Sequence, residues 1–252
     1  MPNEPRFSIV TCTWNSAATL SDTLASVRAQ SCRDIEHVFV DGGSVDATLA
    51  LVDAHPVPKR VLRDVGGGIS RAMNQGILAA RGEFVAHLHS DDYYAAPDVL
   101  EQVARRFDET GAAWVVGQVQ VLQGGRLLAP HPMHPFSYRA YVAGRAAIAH
   151  PAVFLRRAVF AHVGMFDERL RYAMDIDLWL RLGERMAPVQ IERPLTVFRD
   201  HPGSVSSSNK ILARREEFAV RRRYMGRAPV AFAIYCLRYL KRMQALRTGR
   251  MT

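Results

Sequence analysis

Two adjacent carboxylates, Asp91 and Asp92, follow the short apolar run at residues 84–88 in the segment GEFVAHLHSDDYY. An apolar run this short, bounded by Gly82 and Ser90, is typical of a buried strand. Neighbouring carboxylates repel each other, and a hard divalent cation such as Mg²⁺ or Mn²⁺ relieves the repulsion. Because such a cation shares its coordination with substrate phosphates, the pair also predicts a nucleoside diphosphate. The alternative is a solvated turn that happens to contain two aspartates.

A second acidic pair lies in the segment MDIDLWLRL, in which Asp175 and Asp177 stand among apolar residues suited to a buried helix. Positions two apart point to nearly opposite sides of a helix, so at most one of the two carboxylates faces a substrate. An ionised carboxylate within hydrogen-bond reach of a hydroxyl group can take its proton as a general base. The alternative is that the pair only stabilises the first helical turn through the helix dipole.

Polar residues also follow the first two predicted strands. The β-rich run at residues 7–13 stops at the segment WNS, and a second strand at 35–40 ends in the segment DGGSVDAT. Ser44 and Asp46 are suited to capping the helix that follows. Asp41 precedes the glycines, where a ligand-contacting carboxylate is expected at the carboxyl end of a strand in an α/β sheet.

A third short strand, at residues 60–62, is followed by the glycine run 66–68 and by a helix over 70–80. Arg71 lies in the first turn of this helix. Successive glycines indicate a backbone that bends sharply or approaches a ligand closely. The alternative is a flexible hinge with a solvated arginine. With the strand at 84–88, the alternation of strands and helices predicts an α/β fold whose mostly parallel sheet has helices on both faces.

Composition limits the class of protein. The 252 residues, of which 48% are apolar, suffice for one large α/β domain or a domain with an appendage. Cys12, Cys32 and Cys236 are far apart and lack metal-ligand spacing, which favours a reducing compartment. The amino-terminal segment does not resemble a signal peptide, so we expect a cytoplasmic protein. The net charge of +9 indicates an anionic partner.

Much of the positive charge is concentrated in residues 211–252, where arginines alternate with apolar side chains. This pattern predicts a basic amphipathic helical tail. Its uninterrupted apolar run, 228–237, is shorter than the ~20 residues that cross a bilayer, so the tail either lies on an anionic membrane surface or packs on the main domain. The first case would place the protein on the inner face of the membrane. A nucleic-acid-binding protein is a rival, but it does not explain the carboxylates at strand ends.

Five segments occur in an order known from one protein family: TCTWN, VDGGSVDAT, GGGISRAMNQG, HSDD and YAMDIDLWLRL. Over residues 6–205 the chain resembles the inverting nucleotide-sugar glycosyltransferases of family 2. The resemblance implies the GT-A fold, an α/β fold with a Rossmann-like, mostly parallel central sheet. It also implies a nucleotide-sugar-binding half at 1–122 and an acceptor-binding, catalytic half at 123–210, before the helical tail at 211–252.

The resemblance assigns five residues to the nucleotide-sugar donor. Thr13 and Asn15 would lie beside the nucleotide, and Asp41 would accept a hydrogen bond from an imide N–H of the base. Arg71 would approach the base or the diphosphate. Asp91 would contact the ribose or the metal.

The resemblance also implies that Asp92 and His201 bind Mg²⁺ or Mn²⁺ against the diphosphate. Asp175 would be the general base, because it aligns with the second member of the family's acidic pair. Ser90 and Met174 depart from the pattern, since the family often has acids there. The sequence thus predicts a metal-dependent inverting transferase that glycosylates a hydroxyl group of a glycan or lipid-linked acceptor in surface polysaccharide or glycoconjugate synthesis. A catalytically silent protein that binds a sugar nucleotide or a glycan is the alternative.

Overall fold

The computed structural model describes residues 4–130, 132–200 and 209–248. Its first half alternates strands with helices, as the apolar pattern predicted. Every residue of the first two strands is buried, so their polar side chains must find partners inside the protein. The elements are β1 (Phe7–Thr13), α1 (Leu20–Arg28), β2 (Ile35–Asp41), α2 (Thr48–Ala54), β3 (Lys59–Leu62), α3 (Ile69–Ala79) and β4 (Phe84–His87).

The second half contains the two longest strands of the sheet and a short hairpin. Residues 123–126 form a tight hairpin turn, in which Gln123 pairs with Arg126. A short 3₁₀ helix, His150–Ala152, precedes the eighth strand. The elements are β5 (Tyr93–Tyr94), α4 (Val99–Thr110), β6 (Trp114–Gln123), β7 (Arg126–Leu127), α5 (Tyr138–Val142), β8 (Val153–Arg156), α6 (Val159–Val163), α7 (Met174–Arg185) and β9 (Val189–Asp200).

The described strands form one sheet in the order β3-β2-β1-β4-β8-β6-β9-β5, with β7 paired to β6. Strands β1 to β4 pair in parallel, whereas β8 runs antiparallel to both β4 and β6. Thr13 is aligned with Asp41, and Val10 with His87. The polar segments that follow β1, β2 and β4 therefore leave the sheet at the same edge.

Two helices, α8 (Lys210–Arg222) and α9 (Pro229–Arg247), follow the sheet and pack on the domain. Ala231, Tyr235 and Met243 of α9 are buried, so one side of the predicted basic tail belongs to the core. The opposite side is exposed. Within the described ranges, the structure contains no helix with the length and apolar character needed to cross a membrane.

Candidate active site

Hydrogen bonds join the loops that follow β1 and β2. The backbone N–H of Asn15 donates to Ser44 Oγ (2.9 Å), and the Val45 N–H donates to Asn15 Oδ1 (2.9 Å). Asn15 has a left-handed backbone with φ of 48°, which asparagine tolerates better than most residues. The Ser90 hydroxyl donates to Ser16 Oγ (2.9 Å), so the β1 loop also contacts the HSDD segment. Three polar loops thus form one continuous edge.

Asp41, at the end of β2, is fully buried and accepts four hydrogen bonds. Its Oδ1 accepts from the hydroxyls of Thr13 (2.8 Å) and Ser44 (2.6 Å), and its Oδ2 accepts from the N–H groups of Gly43 (2.9 Å) and Ser44 (2.8 Å). Burial raises the pKa of Asp41, but hydrogen bonds from Ser44, Thr13 and Gly43 outweigh it and hold the pKa below its usual value. Because a carboxylate has about four acceptor sites, a bond from a nucleotide base would replace one of these.

Asp92 is also buried, but far fewer donors surround its carboxylate. Oδ1 accepts from the backbone N–H of Arg199 (3.2 Å), and no other hydrogen bond to this carboxylate is present among the described residues. Burial and the neighbouring Asp91 raise the pKa of Asp92 well above its usual value, and the N–H and positive charge of Arg199 offset only part of this rise. The Thr23 hydroxyl donates to the Asp92 carbonyl (2.7 Å). The residue is therefore held in place while its negative charge is poorly compensated.

These carboxylates fit a divalent cation that takes further ligands from elsewhere. A cation there would compensate the charge of Asp92 and would find the hard oxygen ligands that Mg²⁺ and Mn²⁺ prefer. In the part of the chain that the structure describes, no group of three or more His, Cys, Asp or Glu side chains could hold a metal alone. Phosphate oxygens and water would complete the coordination. His201, the other predicted ligand, lies outside the described residues.

The glycine run shapes the loop around Arg71, which is exposed at the start of α3. Gly67 and Gly68 have φ values of 98° and 91°, which glycine adopts without strain. A Cβ at Gly67 would lie 2.7 Å from Arg71 Cδ, so the arginine lies against the loop backbone. Asn74, one turn further on, is buried and binds both the carbonyl (2.9 Å) and the N–H (3.0 Å) of Phe166. Arg71 thus remains exposed to a ligand, while Asn74 is structural.

The two aspartates of α7 have different partners. Asp177 is buried. Its carboxylate accepts from Arg181 (2.9 Å), Arg223 (3.2 Å) and Tyr224 (3.1 Å). These bonds join α7 to the segment after α8, so Asp177 serves the fold. Among the described residues, the carboxylate of Asp175 accepts a hydrogen bond from the N–H of the next residue (2.7 Å) and from no other group.

The environment of Asp175 suits a proton acceptor. Burial is the main cause that raises the pKa of Asp175 to about 6, and the nearby Glu217 adds to the rise. The N–H of Ile176 and the charge of Arg221 act in the opposite direction. A carboxylate with a pKa near 6 is ionised at neutral pH, yet it is a stronger base than an ordinary aspartate.

A chain of aromatic rings connects the end of β4 to α7. Ring centroids lie 5.2 Å apart for His89 and His150, and 5.8 Å apart for His150 and Trp179. Trp179 lies about one helical turn after Asp175. Burial lowers the pKa of both histidines, so their rings are neutral at pH 7. This contact brings the helix of Asp175 beside the HSDD segment. Sequence reasoning missed it, although the histidine before Ser90 was a weak signal.

Comparisons with known proteins identify relatives along most of the chain. The family model described as Glycosyl transferase family 2 matches residues 8–164. An uncharacterized glycosyltransferase of Mycobacterium tuberculosis is 34% identical over 203 residues, which cover 79% of this chain and 76% of that protein. A PGL/p-HBAD biosynthesis glycosyltransferase of Mycobacterium bovis is 32% identical over 187 residues, covering 70% of this chain and 69% of that protein.

Solved structures share the fold at low sequence identity. Residues 1–349 of S. aureus TarS, in complex with UDP-GlcNAc, match with a TM-score of 0.77 at 20% identity, covering 94% of this chain and 73% of that chain. The mannosyltransferase PcManGT of Pyrobaculum calidifontis, in complex with GDP-Man and Mn²⁺, matches with a TM-score of 0.62 at 19% identity, covering 99% and 80%. These likenesses confirm the fold class that the order of the five segments predicted.

Proposed function

Because the chain belongs to glycosyl transferase family 2 and has the GT-A fold, we propose that it is a metal-dependent, inverting glycosyltransferase. It transfers a sugar from a nucleoside-diphosphate sugar to a hydroxyl group of a glycan or lipid-linked acceptor. Membership of the family makes the chain a glycosyltransferase. The mechanism and the substrates are inferred from the site.

The donor binds at the sheet edge where β1, β2 and β4 end. Thr13, Asn15 and Asp41 hold the first two loops in shape and contact the nucleotide. Arg71 and Asp91 approach the donor from the neighbouring loops. Two proteins of the same fold support this assignment, since TarS was solved with UDP-GlcNAc and PcManGT with GDP-Man and Mn²⁺.

Asp175 acts as the general base. It takes the proton of the acceptor hydroxyl group as that oxygen attacks the anomeric carbon from the side opposite the diphosphate, which inverts the configuration. The leaving diphosphate oxygen gains negative charge. Asp92, together with Asp91 and His201, would hold a Mg²⁺ or Mn²⁺ ion, which would stabilise this charge.

The contrast between the two aspartates of α7 carries the proposal. Asp177 is neutralised by two arginines, whereas Asp175 has neither a salt bridge among the described residues nor an ordinary pKa. An uncompensated, desolvated carboxylate on a helix beside a second acidic cluster indicates function rather than stability. The chain departs from the family pattern at Ser90 and Met174, but it retains Asp175 and the Asp91–Asp92 pair.

The acceptor binds to the half of the domain formed by residues 123–210. The likeness to a glycosyltransferase of PGL/p-HBAD biosynthesis supports an acceptor that belongs to a surface glycoconjugate. The exposed side of α9 carries both cationic and apolar residues, which favours association with an anionic membrane surface where a lipid-linked acceptor would be found.

A donor screen tests the proposed function. UDP-, GDP- and dTDP-sugars are compared, with and without Mn²⁺, for the rise in unfolding temperature. The retained donors are then assayed for turnover, with NMR of the product anomer. We expect one nucleotide class to protect, Mn²⁺ to strengthen protection, and the product to be inverted. Protection without turnover would indicate a silent binding protein, and a retained configuration would contradict the role of Asp175.

A further inference from the structure

A groove of about 570 Å³ lies between α5 and the first turns of α9. This volume is in the range of small-molecule sites. None of the residues assigned to the donor or to catalysis lines it. The walls are mostly small and aliphatic, and arginines lie around them. Principal lining residues are Arg139, Ala140, Ala143, Pro229, Val230 and Ile234.

Buried contacts fix the two walls of the groove to each other. Gly144 has φ of 64°, and a Cβ there would lie 2.9 Å from Tyr235 Cδ2, so the backbone after α5 contacts α9 directly. The buried guanidinium of Arg221 lies 5.2 Å from the ring centroid of Tyr141 and 4.9 Å from that of Tyr235. It also donates to the Tyr141 carbonyl. The groove is therefore a preformed feature of the fold.

Two of the three arginines that line the groove have no carboxylate partner among the described residues. Arg227 forms an ion pair with Glu184. Arg139 and Arg145 are exposed, and neither has an acidic partner within residues 4–130, 132–200 and 209–248. The last acidic residue of the sequence is Glu217, so α9 brings no carboxylate to the site. The charge complement of this groove is an anion.

An exposed apolar stripe runs from the groove along the outer side of α9. Val230, Leu237 and Leu240 are 75%, 64% and 63% exposed. Their spacing of seven and three residues places them on one side of the helix. Val230 also lines the groove, and Lys241 is exposed one position after Leu240. Aliphatic and cationic groups on one helix face match the boundary of a bilayer, whereas nucleic acid would leave the leucines unexplained.

We propose that the groove binds the phosphate group of an anionic phospholipid through Arg139 and Arg145. Val230, Leu237 and Leu240 then contact the acyl region, and α9 lies along the membrane surface. This inference rests on the membrane association within the proposed function and gives it a defined site. Membrane binding is measured without any sugar substrate, so a negative result for the lipid site does not contradict the proposed transferase activity, and the reverse also holds.

Vesicle co-sedimentation of the full chain tests the site. Removing residues 228–252 is unsuitable, because it would take Tyr235 out of the core. We expect binding to vesicles of phosphatidylcholine mixed with phosphatidylglycerol, and little binding to phosphatidylcholine alone. The double variant Arg139→Glu, Arg145→Glu weakens binding by about tenfold or more. A control with the same change of net charge on α1 and α4, Arg28→Glu with Arg105→Glu, weakens it by less than about twofold.

A second pair of changes tests the apolar stripe. Leu237→Ser with Leu240→Ser leaves the arginines intact and also weakens vesicle binding. Unfolding temperature and donor protection are measured for every variant, so that misfolding is recognised. Equal losses in both charge-reversed pairs, or equal binding to both kinds of vesicle, would overturn the proposal. Stronger binding of the wild type to random duplex DNA than to the mixed vesicles would overturn it as well.

Discussion

The carboxylates at the ends of β2 and β4 are both buried, but they differ in the donors around them. Asp41 accepts four hydrogen bonds, which keep its pKa below the usual value. Asp92 accepts one backbone hydrogen bond, and burial beside Asp91 raises its pKa. The protein supplies every partner that Asp41 needs. The protein does not compensate the negative charge of Asp92 in the same way, so a bound cation would have to do so.

The same contrast recurs on α7. Asp177 is compensated by Arg181, Arg223 and Tyr224, whereas Asp175 accepts a bond from its neighbouring N–H and has a pKa of about 6. At the sheet edge and on α7 alike, one carboxylate is compensated by hydrogen bonds from the protein and the other is not. Asp→Asn substitutions should distinguish the two kinds of carboxylate, because they lower stability at the compensated positions and lower activity at the uncompensated ones.

The largest expected effect comes from Asp175→Asn. Loss of the general base should lower the transfer rate by about 10²–10⁴-fold, with donor affinity unchanged. The matched control is Asp177→Asn, which should lower the free energy of unfolding by about 2 kcal/mol, because hydrogen bonds to a charged acceptor are weakened. Single-turnover rates and urea unfolding measure the two effects. Near-normal transfer by Asp175→Asn would refute the assignment.

A second comparison sets Asp92→Asn against Asp41→Asn. We expect Asp92→Asn to reduce metal-dependent transfer by about a hundredfold without lowering the free energy of unfolding, because a poorly compensated buried charge is removed. Asp41→Asn should cost about 2–3 kcal/mol of stability, since the Gly43 and Ser44 N–H groups lose a charged acceptor. Mn²⁺ titration and chemical unfolding check both. Equal loss of stability in both variants would show that Asp41 and Asp92 do not differ in how well the protein compensates their charges.

The smallest expected effect is the pH dependence of the transfer rate. The pKa of Asp175 is about 6, above that of an ordinary aspartate, so the protonated and inactive form accumulates below that pH. The value of kcat/KM should therefore fall as the pH decreases through about 6, approaching tenfold per unit. Asp177→Asn should leave this midpoint in place. A rate that stays constant down to the ordinary aspartate pKa would argue against a desolvated base.

Local patterns predicted most of the strands and helices that support the site. The apolar run before Asp91 predicted a strand and its carboxyl end, and the glycines before Arg71 predicted where the next helix begins. The order of the five segments predicted the fold. These features depend on neighbours in the sequence, which is why they can be read from it.

Long-range pairing was not readable from the sequence. Arg223 meets Asp177 across 46 positions, and His150 meets His89 only because β8 pairs antiparallel with β4. Helical geometry predicted that at most one aspartate of α7 faces a substrate, but the partners of Asp177 depend on how α8 packs. The groove beside Arg139 depends on the same packing.

The proposed reaction depends on a cation that Asp92 would hold against the leaving diphosphate, with the base Asp175 on the opposite side of the donor sugar. The most direct measurement is the anomalous scattering of Mn²⁺ in crystals of this protein grown with a nucleoside diphosphate. We expect a peak in direct contact with an Asp92 carboxylate oxygen and the diphosphate, with Asp175 facing the same cleft. A peak away from Asp92, or a diphosphate bound at a different surface from Asp175, would contradict it.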